Sequence, residues 1–338
     1  MSKRDTSIEN KSQQASAHRR RQAREATEPD EIGRAEQYEP LAQLLRKRLE
    51  KYVSIVPLVV VGDNPDAVHD VRVWSRRLQQ TLDAFFPKPQ AGKVRKLRQS
   101  LRRVRRFLGD WRNCDVVLQL VLREQRKTRS GLKRRAWEQV RQYLLQKRGN
   151  QVARARKKLL RQDMIDFAGR VEKLIVQAAV NESVEELLGR LRTGIEAAWT
   201  RWESSLTQAM KTREAPDIHA LRIVTKALRY RTELLHDLGD ARAEPVLDWL
   251  RELQEALGVW NDRQVLYQAV AEALARPEFL LREPEVAETL LAELQKDHLR
   301  QGGAINEILR LATKHAGERQ MEAWVGRASP KPAAPGQA

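Results

Sequence analysis

The sequence predicts an all-α protein. Leu, Ala, Arg, Glu, Gln and Lys dominate it, and these are helix formers. Glycine (16) and proline (13) are sparse across 338 residues, which leaves few sharp turns. Strand-like alternation with regular turn signals, the mark of a β-sheet protein, is missing. Apolar residues recur instead at helical spacing. In the first half this predicts helices over 38–61, 66–86, 92–108, 112–128 and 131–162. The breaks between them fall at GDNPD (62–66), PKPQAG (87–92), LGDW (108–111) and RSG (129–131). In the second half the predicted helices run 184–213, 217–238, 243–257, 260–275 and 284–315, with breaks at EAP (214–216), LGD (238–240), LGVW (257–260) and REP (282–284). A further helix over 163–183 joins the halves. Residues 1–36 are polar, carry a basic cluster HRRRQAR (18–24), and read as a disordered tail. Residues 325–338, ending in SPKPAAPGQA, read as a second one. The domain between them spans 37–324.

Charge narrows the range of partners. The formal net charge is +18, and its location matters more than its size. Between Lys88 and Arg161 there are 25 Lys/Arg against four acids, a net of +21, so the remainder carries −3. A field this concentrated calls for a polyanionic partner or a tolerance for self-repulsion, and nucleic acid, inorganic polyphosphate and an anionic membrane are the candidate partners. One cysteine, Cys114, excludes an internal disulfide framework and a thiolate zinc site, and fits a reducing compartment. No run of 18 apolar residues exists and the N-terminus has no apolar signal core, so the cytoplasm is the expected location and no membrane anchor is expected.

The chain repeats itself. VHDVRVWSRRLQQTLDAF (68–85) and IHALRIVTKALRYRTELL (218–235) share one pattern 150 residues apart. LRRVRRFLGDWRNCDV (101–116) matches LRELQEALGVWNDRQV (250–265) at an offset of 149. A near-constant offset over several helices indicates duplication, with repeats at 38–165 and 184–318, and two such units pack most economically as helical bundles related by a pseudo-twofold axis.

Each copy of the first motif opens with a histidine and places cations three and seven positions on: His69, Arg72 and Arg76, then His219, Arg222 and Lys226. Positions i, i+3 and i+7 fall within a narrow arc of a helix. In the first copy the row borders the apolar arc of Val68, Val71, Leu78, Leu82 and Phe85. The second copy adds Arg229 and Tyr230 to the row. On the next helix Arg95, Arg98, Arg102, Arg105 and Arg106 share an arc. Further along, Lys147, Arg154, Lys158 and Arg161 line up, with Arg141 and Arg148 close to that face. Aligned basic rows on successive helices can wall a cationic channel, and guanidinium forks suit phosphate oxygens. A plain alternative for each row is a solvated helix face, and for the histidines a helix-to-helix pin. Arg95 and Arg105 correspond to Glu244 and Gln254 in the second half, so the groove is expected to be lopsided, with most charge from the first half. Asp115 and the pair Asn261–Asp262 follow the LG turns and are expected to cap helices, with orientation of the arginines as the alternative. Trp111 and Trp260 are expected in core or turn packing.

These two motifs resemble the signature of the CHAD family, the conserved histidine α-helical domain. LGDWRNCDVVL (108–118) and LGVWNDRQVL (257–266) resemble its second signature. The resemblance covers roughly 38–318. It implies two four-helix-type bundles in pseudo-twofold relation, a basic cavity between them, and binding of inorganic polyphosphate, often at polyphosphate granules. Carried over by position, His69, Arg72, Arg76, His219, Arg222, Lys226 and Arg229 line that cavity. The chain departs from the pattern at Gln79, where a basic residue is common, and at Asn113, where aspartate is usual. Some relatives carry a triphosphate tunnel hydrolase domain; no ExExK-type strand pattern for one occurs here.

Three functions follow as expectations. The first is polyphosphate binding without catalysis and without a cofactor. The second is nucleic-acid binding, which the charge permits although aromatics do not interleave with the basic rows. The third is a metal-dependent phosphohydrolase using His69, His219, Asp115 and Asp262, which the cationic surroundings disfavour.

Overall fold

A computed structural model describes residues 39–86, 92–181, 184–277, 283–313 and 315–326. Of the proposed tails at 1–36 and 325–338, the first and all of the second beyond 326 lie outside the described residues, while Val325 is the last residue of a helix. Ten helices and no strand are found among those described. They are α1 (39–61), α2 (Pro65–Phe85), α3 (Lys93–Lys127), α4 (Gly131–Leu159), α5 (Met164–Asn181), α6 (Val184–Thr212), α7 (Ala215–Asp237), α8 (Ala243–Leu274), α9 (Pro284–Ala312) and α10 (His315–Val325).

Local chemistry explains most boundaries. Asn64 caps α2 by accepting hydrogen bonds from the backbone N–H of Asp66 (2.8 Å) and Ala67 (3.4 Å), and Pro65 opens the first turn. Ser130 caps α4 through the N–H of Lys133. At the end of α7 the N–H of Gly239 bonds the carbonyl of His236 (2.9 Å) and that of Asp240 bonds Leu235 (3.1 Å). This is the Schellman pairing, with Gly239 at φ 97°.

Two predicted breaks are not breaks. The helix continues through Gly109–Asp110–Trp111 and through Gly258–Val259–Trp260, giving α3 of 35 residues and α8 of 32. A glycine inside a helix costs only about 1 kcal/mol relative to alanine. Burial of Leu108, Trp111, Leu257 and Trp260 on the same stretches outweighs it. Asp115, Asn261 and Asp262 therefore sit inside helices, and the expected capping role is overturned. Both tryptophans are in the core.

The helix order repeats. Elements α1–α4 are followed, after the connecting α5, by α6–α9, and α10 closes the set. Pro65 and Ala215, and likewise Lys93 and Ala243, start equivalent helices 150 residues apart. The apolar residues form two clusters, and both draw on the two halves. One combines Val117 and Val121 (α3) and Trp137, Val140 and Leu144 (α4) with Leu266 and Val270 (α8) and Val286 and Leu290 (α9). It is a four-helix bundle made from the outer ends of the long helices. The larger cluster holds α1, α2 and α5–α7 together with the inner ends of the long helices. Within it Trp199 stacks on Trp202 at 4.8 Å, and Trp249 meets both edge-on. The inner cluster brings α2 against α7, which sets the two histidine-headed rows face to face. Among the described residues no helix is long and apolar enough to cross a membrane.

Candidate anion-binding seam

Helices α2 and α7 meet along a seam flanked by α3 and α8. Six cations converge on it, three from each half: Arg72, Arg76 and Arg105, and Arg222, Lys226 and Arg229. The two rows are joined through Tyr230 of α7. Its hydroxyl accepts a hydrogen bond from Arg76 Nη1 (3.4 Å), and the guanidiniums of Arg229 and Arg76 lie 4.6 and 5.6 Å from its ring centre. Arg72 Nη1 donates to the carbonyl of Arg105 (2.5 Å), and Arg105 Nη1 donates to that of Ser75 (3.0 Å). These reciprocal bonds hold α2 to α3. A Cβ at position 109 would lie 3.3 Å from Arg72 Nη1, so Gly109 leaves room for this guanidinium against α3.

No member of this group is in contact with a carboxylate among the described residues. Their partners are neutral: backbone carbonyls, Tyr230, Gln79 and Gln254. Arg222 Nε is buried with no partner at all. Asp262 lies within electrostatic reach of Arg222 and Lys226 but bridges to neither. Crowding of like charge in a half-buried setting has the expected effect. Burial, then Arg222, Arg76 and Arg72, bring Lys226 down to about 7. Arg72 and Arg105 fall to about 10, chiefly through burial and then through Arg76. Burial raises the Tyr230 hydroxyl, but Arg76 and Arg229 bring it below the usual tyrosine value on balance.

Below the seam the pattern reverses, and cations meet acids. Arg77 pairs with Glu233, and Arg98 Nε lies 2.6 Å from Asp83. Arg48, only 2% exposed, bonds Asp237 (2.6 Å) and Thr81 (2.8 Å). One end of the α2–α7 contact is thus neutralised, and the other is left positive.

The thirteen residues expected to bind anion divide accordingly. Arg72, Arg76, Arg105, Arg222, Lys226 and Arg229 are brought together. His69 and His219 stand exposed at the outer ends of their rows. Burial and Arg112 hold the His69 imidazole below its usual range. Arg95 and Arg102 are exposed on α3, with Arg102 an electrostatic neighbour of Arg105. Arg98, Arg141 and Arg148 belong elsewhere. Arg98 is spent on Asp83 and on the carbonyls of Leu82 and Phe86. Arg141 forks onto Glu138 (2.6 and 2.7 Å) on the outer bundle. Arg148 bonds buried Asp115 (2.6 Å) and grips both oxygens of Asp63 (2.5 and 2.9 Å). An arginine already held by two carboxylates has little left to offer a phosphate.

Two residues near the seam were not expected there, and a third, Tyr230, was expected in the row but not as a bridge. Tyr230 shares the arc of Arg222 and Lys226, but its bridging position depends on α2. Arg112 is an electrostatic neighbour of Arg72 and His69. It continues the row Arg98–Arg105 at the same seven-residue spacing, a signal hidden by the supposed break at 108–111. Gln254 holds Arg229 through Nε (2.8 Å).

This last contact alters the meaning of Gln79. In the first half Arg105 donates to Gln79; in the second, Arg229 donates to Gln254. Gln79 corresponds to Arg229, and Arg105 to Gln254. Each half therefore keeps one arginine and one glutamine at this junction, on exchanged helices. The expected lopsidedness does not reach the seam, which receives three cations from each half. Exchanging the first pair, Gln79→Arg with Arg105→Gln, should keep polyanion affinity within about twofold of wild type. Arg105→Gln alone should lose about tenfold, the value of one charge-assisted bond. Titration of polyphosphate against the three proteins checks this.

Fold and seam together define a helical protein organised around uncompensated positive charge. The model of the CHAD domain family matches residues 43–271, more than half of the chain, and the chain belongs to that family. Solved structures agree on the fold. The crystal structure of the CHAD domain from the plant Ricinus communis superposes with a TM-score of 0.56 at 22% identity, covering 87% of this chain and 92% of that one. PptA from Streptomyces chartreusis superposes with a TM-score of 0.53 at 16% identity, covering 85% and 99%. Identities this low speak to fold alone. No curated protein matches.

Proposed function

We propose that this chain binds inorganic polyphosphate along the α2–α7 seam and does not turn it over. One observation carries the reading: six cations from two halves of the chain converge, and none is met by a carboxylate among the described residues. Half-burying like charges without counter-charge is unfavourable for the folded chain, and a bound polyanion removes that penalty. Two facing rows on adjacent helices suit a linear polymer of singly charged units. Guanidinium forks supply directed donors to phosphate oxygens. On this reading the protein collects at polyphosphate granules in the cytoplasm.

A salt titration tests it. If about six phosphates are neutralised, log affinity should fall with log salt with a slope near −4, at about 0.7 per phosphate as for single strands. RNA at equal charge concentration should displace less than half of the bound polyphosphate. Efficient displacement by RNA would favour a nucleic-acid site instead. Release of phosphate on adding Mg²⁺ or Mn²⁺ would overturn the absence of turnover.

A further inference from the structure

Three first-half cations serve the seam, yet that half carries the entire positive excess of the chain. Two groups of the others differ in what they meet. On the outer bundle, cations meet acids of the second half: Lys133 pairs with Glu293, Arg135 with Glu283 and Lys147 with Glu272. On the inner ends of α3 and α4 they do not. Arg95, Arg102, Arg103 and Arg106 on α3, Lys158 on α4 and Arg161 in the turn that follows α4 are exposed, and none forms an ion pair among the described residues.

This face is continuous with the seam. Arg102 is an electrostatic neighbour of Arg105, so the row starts where the seam ends. Helical spacing puts Arg95, Arg102 and Arg106 on the solvent side of α3, with Arg103 turned further toward α4. From Arg95 to Arg106 the row covers about 16 Å at 1.5 Å per residue. Lys158 Nζ lies 4.8 Å from the ring centre of Phe107, which ties the basic row of α4 to the flank of α3.

We propose that the exposed face of α3 and α4 is a second track, which holds the part of a long polyphosphate chain that runs out of the seam. The proposal rests on the seam being a polyphosphate site. Isolated exposed charges contribute little. A row beside an occupied site is different, because the tethered chain is present at high effective concentration. Each phosphate neutralised there releases counterions. The chemistry favours a bare phosphate polymer over RNA, since among the described residues of this face the basic row is accompanied by a single aromatic ring, Phe107, and Lys158 stands over it. The track makes affinity depend on chain length.

The test uses the full chain with Arg103→Ser, Arg106→Ser and Lys158→Ser combined, all exposed and outside the seam. The probes are tripolyphosphate, long-chain polyphosphate and RNA. Long-chain affinity should drop by about tenfold and the magnitude of its salt slope by about two to three, while tripolyphosphate affinity changes by less than about twofold. An equal change for both phosphate probes, no change for either, or a loss confined to RNA overturns the track. Failure of the seam reading looks different: the wild-type protein then binds neither phosphate probe, or an Arg72→Glu/Arg222→Glu variant keeps both.

Discussion

Replacing Arg72 and Arg222 together by glutamate is expected to lower polyphosphate affinity by about a thousandfold while the chain stays folded. The two arginines stand on opposite helices of the seam, one from each half. A hydrogen bond between a charged donor and its acceptor contributes about 1.5–3 kcal/mol, and 1.4 kcal/mol is a factor of ten. Losing two such contacts and adding two repulsive carboxylates exceeds 4 kcal/mol on that scale. Stability should not fall in step. Arg72 gives up its bond to the Arg105 carbonyl, but the new carboxylate stands between the cations Arg76 and Arg112. Attraction to these cations relieves a repulsion that the native protein tolerates. Thermal unfolding should therefore show an unchanged or higher midpoint, and glutamine at both positions an intermediate loss of affinity. A double variant that is folded by circular dichroism and binds as wild type does would refute the assignment.

The second large effect concerns pH. Lys226 has its pKa brought down to about 7 by burial and by Arg222, Arg76 and Arg72. A polyanion beside it favours the charged form, so binding above neutrality requires proton uptake. Affinity for long-chain polyphosphate should fall about tenfold from about pH 6 to about pH 8, with close to one proton taken up at the upper end. The stability of the free protein runs the other way. The unfolded lysine keeps its proton up to 10.5 and the folded one only to about 7, so between these values the unfolded state binds more protons. The destabilisation from this group is complete below pH 7 and is relieved as pH rises through that window. Burial, then Arg112, hold the His69 imidazole below its usual range. Lys226→Arg keeps the charge and should flatten the affinity profile at its higher level; Lys226→Met should flatten it at the lower. Equal pH slopes in wild type and Lys226→Arg would sink this account. Calorimetry in buffers of different ionisation enthalpy measures the uptake directly.

Much of this protein is legible in its sequence, and the misreadings have definite causes. The breaks at 62–66, 129–131 and 238–240 stand where the sequence puts them, and the caps at Asn64 and Ser130 and the stop at Gly239 are their local chemistry. Gly109 and Gly258 carry the same local signal as Gly239. They fail to break their helices because buried tryptophans and leucines on either side outweigh a small propensity. The supposed break then removed Arg112 from the row of Arg98 and Arg105 and turned Asp115 into a cap. Its actual task is to hold Arg148. Gln79 looked like a missing cation because its partner lies 26 residues away on α3.

The sequence by itself determined the helical class and which cations share a helix face, because the direction of a side chain on a helix follows from its position within a few residues. Which of those cations remain available was decided only by the tertiary structure. Arg141 and Arg148 look like Arg72 and Arg76 along the chain, yet the first two meet Glu138, Asp115 and Asp63 while the second two meet only neutral acceptors. A charge is cancelled or kept by what stands within a few ångströms of it, and several of these partners are far away in sequence. Folding left the seam between α2 and α7 positive by sending the nearby acids elsewhere.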